Sequence, residues 1–226
     1  MWRSYPGEIV SRRARRDVSM AGVTTLEIDT PHGPAAAHVQ GAPEPIGALV
    51  LGHGAGGGVN APDLVAAAGV ALGLGLSVAL VEQPYRVAGR RSPAPAPQLD
   101  AAWIAVVEHL RAGELRDLPI VTGGRSSGAR VACRTAAQTG AAAVLCLAFP
   151  LQPPKRKSGT QAASRAPELD AVTVPVLVVQ GEGDPFGMPE PGLRRAVVQL
   201  RGNHSLRSDM PGLKAAVEAW LRRVAG

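Results

Sequence analysis

Aromatic residues are nearly missing from this chain of 226, which holds three Trp, two Tyr and two Phe, or 3%. Proteins that grip nucleic-acid bases stack them on aromatic rings, so the scarcity argues against such a partner despite a net charge of +6. The charge is also poorly placed for that role. Residues 1–20 carry Arg3, Arg12, Arg13, Arg15 and Arg16 against Glu8 and Asp17, which is half of the net charge in one tail. Cysteine is equally scarce. Cys133 and Cys146 do not form a metal-ligand spacing and read as small buried apolar residues, which points to a reducing, cytoplasmic setting. The basic N-terminus has no apolar segment behind it, so it is not a secretory signal. A membrane span is also lacking. Residues 64–81 hold no charge, but Gly69, Gly73, Gly75 and Ser77 interrupt them and no basic anchor closes them. They read as a helix ending near Gly73, a turn, and a buried strand over 76–81.

What the chain does have is small apolar residues. Apolar types make up 46% of it, enough for a core built from Ala, Val and Leu with close helix–sheet contacts. Residues 1–19 read as a flexible basic tail and residues 20–226 as a single domain. Within that domain, 24–28 alternates as a half-covered strand, and 35–40 returns after a Pro-His-Gly-Pro turn. From the apolar strand over 46–51 onward, strand and helix patterns take turns: a helix from Pro62, strand 76–81, helix 98–110, strand 119–122, helix 127–139, strand 141–148, strand 174–179, a short helix near 191–195, strand 196–200 and a last helix over 213–224. Gln83-Pro84-Tyr85 reads as loop, and the stretch 151–171 is polar and too short for a large cap. Such alternation predicts an α/β fold, a mostly parallel sheet covered on both faces.

The chemistry centres on Gly123-Gly124-Arg125-Ser126-Ser127-Gly128-Ala129-Arg130, which lies between a strand and a helix. G-x-S-x-G in that setting forms a nucleophile elbow: small residues on either side let strand and helix approach, and the turn lifts the hydroxyl clear. Only Ser126 has glycine two before and two after, so it is the candidate nucleophile. A serine hydroxyl needs a base in hydrogen-bond reach and an acid to orient that base. Asp184 follows the strand over 174–179 and His204 follows the strand over 196–200, which gives the chain order Ser, Asp, His expected of this arrangement. Glu182 is the weaker alternative acid, standing nearer the strand. His32 and His38 lie in the early hairpin, His109 within a helix, and His53 in a loop with another task. That task is oxyanion stabilisation, which needs two backbone N–H donors. Ser127 supplies the first candidate; the second is Ala55 or, failing that, Gly56, in Gly52-His53-Gly54-Ala55-Gly56-Gly57. The same glycines have a rival reading as a dinucleotide fingerprint, with Glu82 as the ribose acid. Against it, the helix starts too late and two strands precede the motif.

With these residues in place, the chain resembles the α/β-hydrolase superfamily over residues 21–226. Within it, the chain is similar to the small, nearly capless group that includes dienelactone-hydrolase-like bacterial proteins and testis-expressed protein 30. The matching stretches are residues 52–57 (GHGAGG), 123–130 (GGRSSGAR), 149–154 (FPLQPP), 180–187 (QGEGDPFG) and 202–206 (GNHSL). The resemblance implies a three-layer α/β-hydrolase fold with about 7–8 strands. It also implies a serine hydrolase that cleaves an ester, thioester or related acyl bond of a small substrate, with no metal or organic cofactor. Two departures stand out: dienelactone hydrolases carry cysteine where this chain has Ser126, and Asn203 stands where the closer group commonly has Asp. Relatives that serve as scaffolds keep a second reading open, a non-catalytic interaction protein. Arg86, Arg125 and residues 155–157 read as solvated surface charge, with a preference for an anionic substrate as the alternative.

Overall fold

Nine strands form one sheet in the order β1-β2-β3-β5-β4-β6-β7-β8-β9, in a computed structural model that describes residues 16–18, 22–153, 159–160 and 162–225. In chain order the elements are β1 (Arg16–Val18), β2 (Val23–Ile28), β3 (Ala35–Gln40), β4 (Gly47–Gly52), α1 (Pro62–Gly73), β5 (Leu76–Glu82), α2 (Pro84–Val87) and α3 (Ala96–Ala112). Then come β6 (Ile120–Arg125), α4 (Ser127–Thr135), β7 (Ala143–Leu147), α5 (Ala166–Asp170), β8 (Val176–Gly181), β9 (Arg195–Leu200) and α6 (Met210–Val224). The strands from β5 to β9 are parallel, while β1, β2 and β3 pair antiparallel at one edge.

The central strands are apolar because both of their faces are covered. Along β4, Leu49 and Leu51 join a cluster with α1 and α6, whereas Ala48 and Val50 join one with α3 on the other face. A third cluster sets Ala129, Ala132 and Cys133 of α4 against Val144 and Cys146 of β7. Small side chains bring this helix close to the sheet. Cys133 and Cys146 are free and buried, with their sulfurs 3.5 Å apart. Hydrogen bonding to Cys133, together with burial, pushes the Cys146 thiol well above its usual range.

Four expectations change. The sheet has nine strands rather than seven or eight, because Arg16–Val18, inside the expected tail, pairs with β2. The short helix at 191–195 is absent: Gly192 and Arg195 exchange backbone hydrogen bonds of 2.9 and 3.1 Å in a tight turn that opens β9. Pro84–Val87, expected as loop, makes one helical turn, and so does Ala166–Asp170 within the polar stretch. The helix after the elbow stops at Thr135 rather than 139, and Gly140 turns away with φ 58°. Thr135 and Thr139 donate their hydroxyls back to the carbonyls of Val131 and Thr135, which competes with further helix. The basic run 155–157 and most of the N-terminal tail lie outside the described residues. Between β7 and β8 the described residues contain no helix beyond α5, so no large cap covers the sheet. Among the described residues no helix is long and apolar enough to cross a membrane; residues 64–81 split into α1 and β5 at Gly75, where φ is 82°.

Strand order places the site. From β4 the chain moves to one side for β5 and to the other for β6, and the crevice beyond the strand ends at such a reversal is where parallel sheets bind ligands.

Candidate active site

The elbow is built by backbone contact. Gly52 at the end of β4 lies beside Gly124 of β6 in register. A methyl on Gly124 would stand 2.5 Å from the Gly52 carbonyl oxygen, and one on Gly128 would stand 2.6 Å from the Gly52 carbonyl carbon. Both glycines of the pattern are therefore required by the approach of β6 and α4 to β4. Between them Ser126 takes φ 53° and ψ −108°, outside the regions that suit an L-residue and costing about 1–3 kcal/mol. Its N–H donates to the Leu147 carbonyl at 2.9 Å and its carbonyl accepts from Arg130 N–H at 3.2 Å, which hold the strained residue from both sides.

The three candidates for nucleophile, base and acid meet. His204 Nε2 lies 2.9 Å from Ser126 Oγ, and His204 Nδ1 lies 2.8 Å from Asp184 Oδ2. An ionised carboxylate only accepts, so Nδ1 carries the ring proton and Nε2 is free to accept the serine hydroxyl. The His204 side chain is 20% exposed and that of Asp184 fully buried, so solvent reaches the imidazole and not the carboxylate. Glu182, the alternative acid, is exposed.

Two loops deliver these groups, and glycine joins them. Gly183 N–H donates to the Gly202 carbonyl at 2.8 Å, and a methyl on Gly181 would lie 2.5 Å from the Asn203 carbonyl oxygen. Asn203 shapes the histidine turn, since its Oδ1 accepts from the N–H and hydroxyl of Ser205 at 3.0 and 2.9 Å. Phe186 N–H donates to Asp184 Oδ1 at 2.9 Å, and its ring lies 4.6 Å from the His204 ring, covering one face. Arg125 reaches over from the elbow. Its guanidinium donates to the His204 carbonyl at 3.0 Å and pairs with buried Asp63 at 2.8 Å. Burial, only partly offset by Arg125, raises the Asp63 carboxyl above its ordinary value.

Opposite the elbow, the loop after β4 is held by groups outside it. Gln83 N–H donates to His53 Nε2 at 3.1 Å, which places the imidazole proton on Nδ1, 2.8 Å from the Gly54 carbonyl it donates to. Burial lowers the His53 pKa and keeps the ring neutral, as this pair of bonds requires. The Tyr85 hydroxyl donates to the Ala55 carbonyl at 3.1 Å, and its ring meets His53 edge-on. Gly54 sits against the elbow: a methyl there would stand 3.6 Å from Ser126 Cβ. Ala55 and Gly56 follow at the partly exposed rim, and Ser127 opens α4, where the first N–H groups have no partner within the helix. As for the dinucleotide reading, α1 begins only at Pro62, and Glu82 points to His38 at 3.4 Å.

Beside the elbow lies an open cleft of about 410 Å³, lined by Gly56, Gly57, Asp63, Arg125, Ser205 and Arg207 among others. Arg125 is matched there by Asp63, which leaves Arg207 as the exposed cation. Arg86 lies near Gly58, behind the loop. His32 and His109 are exposed and take no part in the hydrogen-bonded chain of Ser126, His204 and Asp184, and no group of three or more metal-binding side chains occurs among the described residues. Gln180, Phe186, Tyr85 and Asp63 are the members that sequence reasoning missed. Gln180 alone carried a signal, as a polar residue ending a run of buried valines.

Comparison with known proteins agrees with this architecture. Residues 45–207 match the family model described as an alpha/beta hydrolase domain. No curated protein sequence matches the chain. Among solved structures, an α/β serine hydrolase without lid from Xanthomonas campestris matches with a TM-score of 0.69 at 20% identity, over 92% of this chain and 97% of that one. Est1E from Butyrivibrio proteoclasticus gives 0.70 at 16% identity, over 88% and 98%. Dienelactone hydrolase from Anabaena variabilis gives 0.72 at 14% identity, over 93% and 98%. At these identities the likeness is one of fold.

Proposed function

The chain belongs to the alpha/beta hydrolase domain family, and we propose that it is a serine hydrolase cleaving a carboxylic ester, thioester or related acyl bond of a small substrate. One observation carries this reading: Ser126 Oγ, the His204 ring and the Asp184 carboxylate form one hydrogen-bonded chain, of 2.9 and 2.8 Å, on a strained elbow. Fold neighbours that are esterases and serine hydrolases support it as analogy.

In the first step His204 Nε2 takes the Ser126 proton as Oγ bonds to the acyl carbon. Asp184, already accepting from Nδ1–H, stabilises the imidazolium that forms. The carbonyl oxygen becomes an oxyanion held by the N–H groups of Ser127 and Ala55 or Gly56, each such donor contributing about 10²–10³ in rate. The bond to the leaving alcohol or thiol breaks, and that group takes the proton from Nε2. Water, deprotonated by the same nitrogen, then attacks the acyl-serine and frees the acid. The open, capless cleft suits a small or protruding acyl group.

The test is labelling with a fluorophosphonate, which needs an activated serine, combined with hydrolysis of short 4-nitrophenyl esters. The wild type labels and turns over, whereas Ser126→Ala does neither while keeping the wild-type unfolding midpoint. A wild type that neither labels nor hydrolyses would leave a non-catalytic interaction protein as the better account.

A further inference from the structure

At the end of β8, Gln180 interrupts a run of buried valines with an amide that is itself fully buried. Its Nε2 faces three oxygens: Asp184 Oδ2 at 2.9 Å, the Phe149 carbonyl at 3.0 Å and the Gly187 carbonyl at 2.9 Å. All three only accept, so the amide cannot be reversed without setting its oxygen against three others. The orientation leaves Gln180 Oε1 buried with no hydrogen-bond partner. An apolar residue of the same length would avoid that orphaned oxygen and would also give up every donor.

What those donors hold is informative. Asp184 Oδ1 accepts from Phe186 N–H, and Oδ2 accepts from both Gln180 Nε2 and His204 Nδ1. The carboxylate plane is thereby set from two sides before the histidine arrives. The remaining contacts of Gln180 tie that carboxylate to the end of β7, through Phe149, and to the turn that follows the acid, through Gly187. Asp184 lies four residues beyond Gln180, on a turn closed by Gly187 N–H to the Asp184 carbonyl. Without the amide, nothing else among the described side chains donates to Oδ2 beside the histidine.

We propose that Gln180 is a positioning residue of the hydrolytic site, acting on Ser126 only through Asp184 and His204. The inference rests on the serine-hydrolase reading, and it explains why a buried amide with one unmet oxygen occupies the end of β8.

A double-mutant cycle tests it, with ester hydrolysis and the rate of fluorophosphonate labelling as readouts. Gln180→Met lowers kcat and kcat/KM together by about 10- to 100-fold, as misplacing a reacting group by an ångström does, and changes KM less than twofold. In an Asp184→Ala background the same substitution changes the labelling rate less than twofold. An equal loss in both backgrounds would make Gln180 merely structural and overturn the proposal, as would a Met variant with wild-type kcat. Gln180→Glu covers the case in which the Met variant does not fold. Its introduced carboxyl donates only when protonated, so its rate relative to wild type rises as pH falls, and a ratio flat in pH refutes the proposal. Failure of the wild type itself to label or turn over strikes the hydrolase reading instead, so the two failures are distinct.

Discussion

Substitution of two helical glycines by alanine should have opposite effects, and the contrast measures how far the elbow depends on backbone contact. Gly69 lies in α1, exposed, with nothing within 4 Å of an added methyl, and without a positive φ. Gly69→Ala removes only the entropic disadvantage of glycine in a helix and should stabilise by about 0.5–1 kcal/mol, with unchanged activity. Gly128 is also helical, at the second position of α4. There the methyl meets the Gly52 carbonyl, 2.6 Å from its carbon, and stands 2.9 Å from the His53 carbonyl oxygen. The first of these falls about 0.8 Å short of ordinary contact at 3.4 Å. Neither side yields easily, because both obstacles are backbone at the end of a fully buried strand. The helix is clamped on its far side by Arg130 to Glu168 at 2.5 Å and by Arg134 to Asp100 at 2.6 Å. Overpacking of this kind costs about 1–3 kcal/mol, and the helix-propensity gain offsets less than 1 of that. We expect Gly128→Ala to lose about 2 kcal/mol by urea denaturation. Because α4 carries Ser127 and follows Ser126, a shift approaching an ångström should also lower kcat/KM about 100-fold. A Gly128→Ala protein as stable and as active as Gly69→Ala would refute the dependence of the elbow on backbone contact.

Two further outcomes follow from the groups around it. Burial raises the Asp63 carboxyl pKa above its ordinary 3.8, so the folded state holds this proton more tightly than the unfolded chain does. Its contribution to stability is then full below pH 3.8 and is lost as pH rises through the folded value. Urea midpoints across that range should shift in favour of Asp63→Asn relative to wild type as pH rises; a pH-independent difference would show that Arg125 fully compensates the burial. Tyr85→Phe keeps the ring on His53 and removes only the hydroxyl bond to the Ala55 carbonyl. It should cost about 1 kcal/mol in stability and reduce kcat several-fold with little change in KM; unchanged kcat would mean that the loop holds its shape without Tyr85.

Much of this architecture was legible because parallel strands buried on both faces must be apolar along their whole length. Residues 46–51 and 76–81 announce β4 and β5 that way, and Pro62 marks the start of α1 within a residue. That Ser126, Asp184 and His204 come together was legible for a related reason: each stands in a glycine-bearing loop directly after a strand. Short elements were not. α5 has five residues and begins Ala-Pro, too little for periodicity to register. The Pro191-Gly192-Leu193 sequence looked like a helix start, yet the chain there reverses into β9. Gln180 could not be assigned a role, because its amide is held by the end of β7, through Phe149, and by the shape of the turn that carries Asp184 and Gly187, neither of which a sequence pattern shows. The same holds for Tyr85, thirty residues from the carbonyl it supports.

The scarcity of aromatics bears directly on how such a site is held. Large rings fill space with groups that can tilt or change rotamer, whereas Ala and Gly bring main chain against main chain, where there is little to adjust. Here β6 and α4 rest on β4 through Gly124, Gly128 and Gly52, and the acid and histidine loops rest on each other through Gly181, Gly183 and Gly202. Both pairs of contacts lie within a few residues of the groups they position. A methylene lost from a buried Leu or Val should therefore cost stability while leaving the relation of Ser126 to His204 nearly intact. A methylene gained at Gly124, Gly128 or Gly181 acts on that relation first, because the obstructing atoms are the backbone that carries Ser126, Asp184 and His204. In this chain the apolar strands carry stability with little bearing on the site, whereas a handful of glycines carry both.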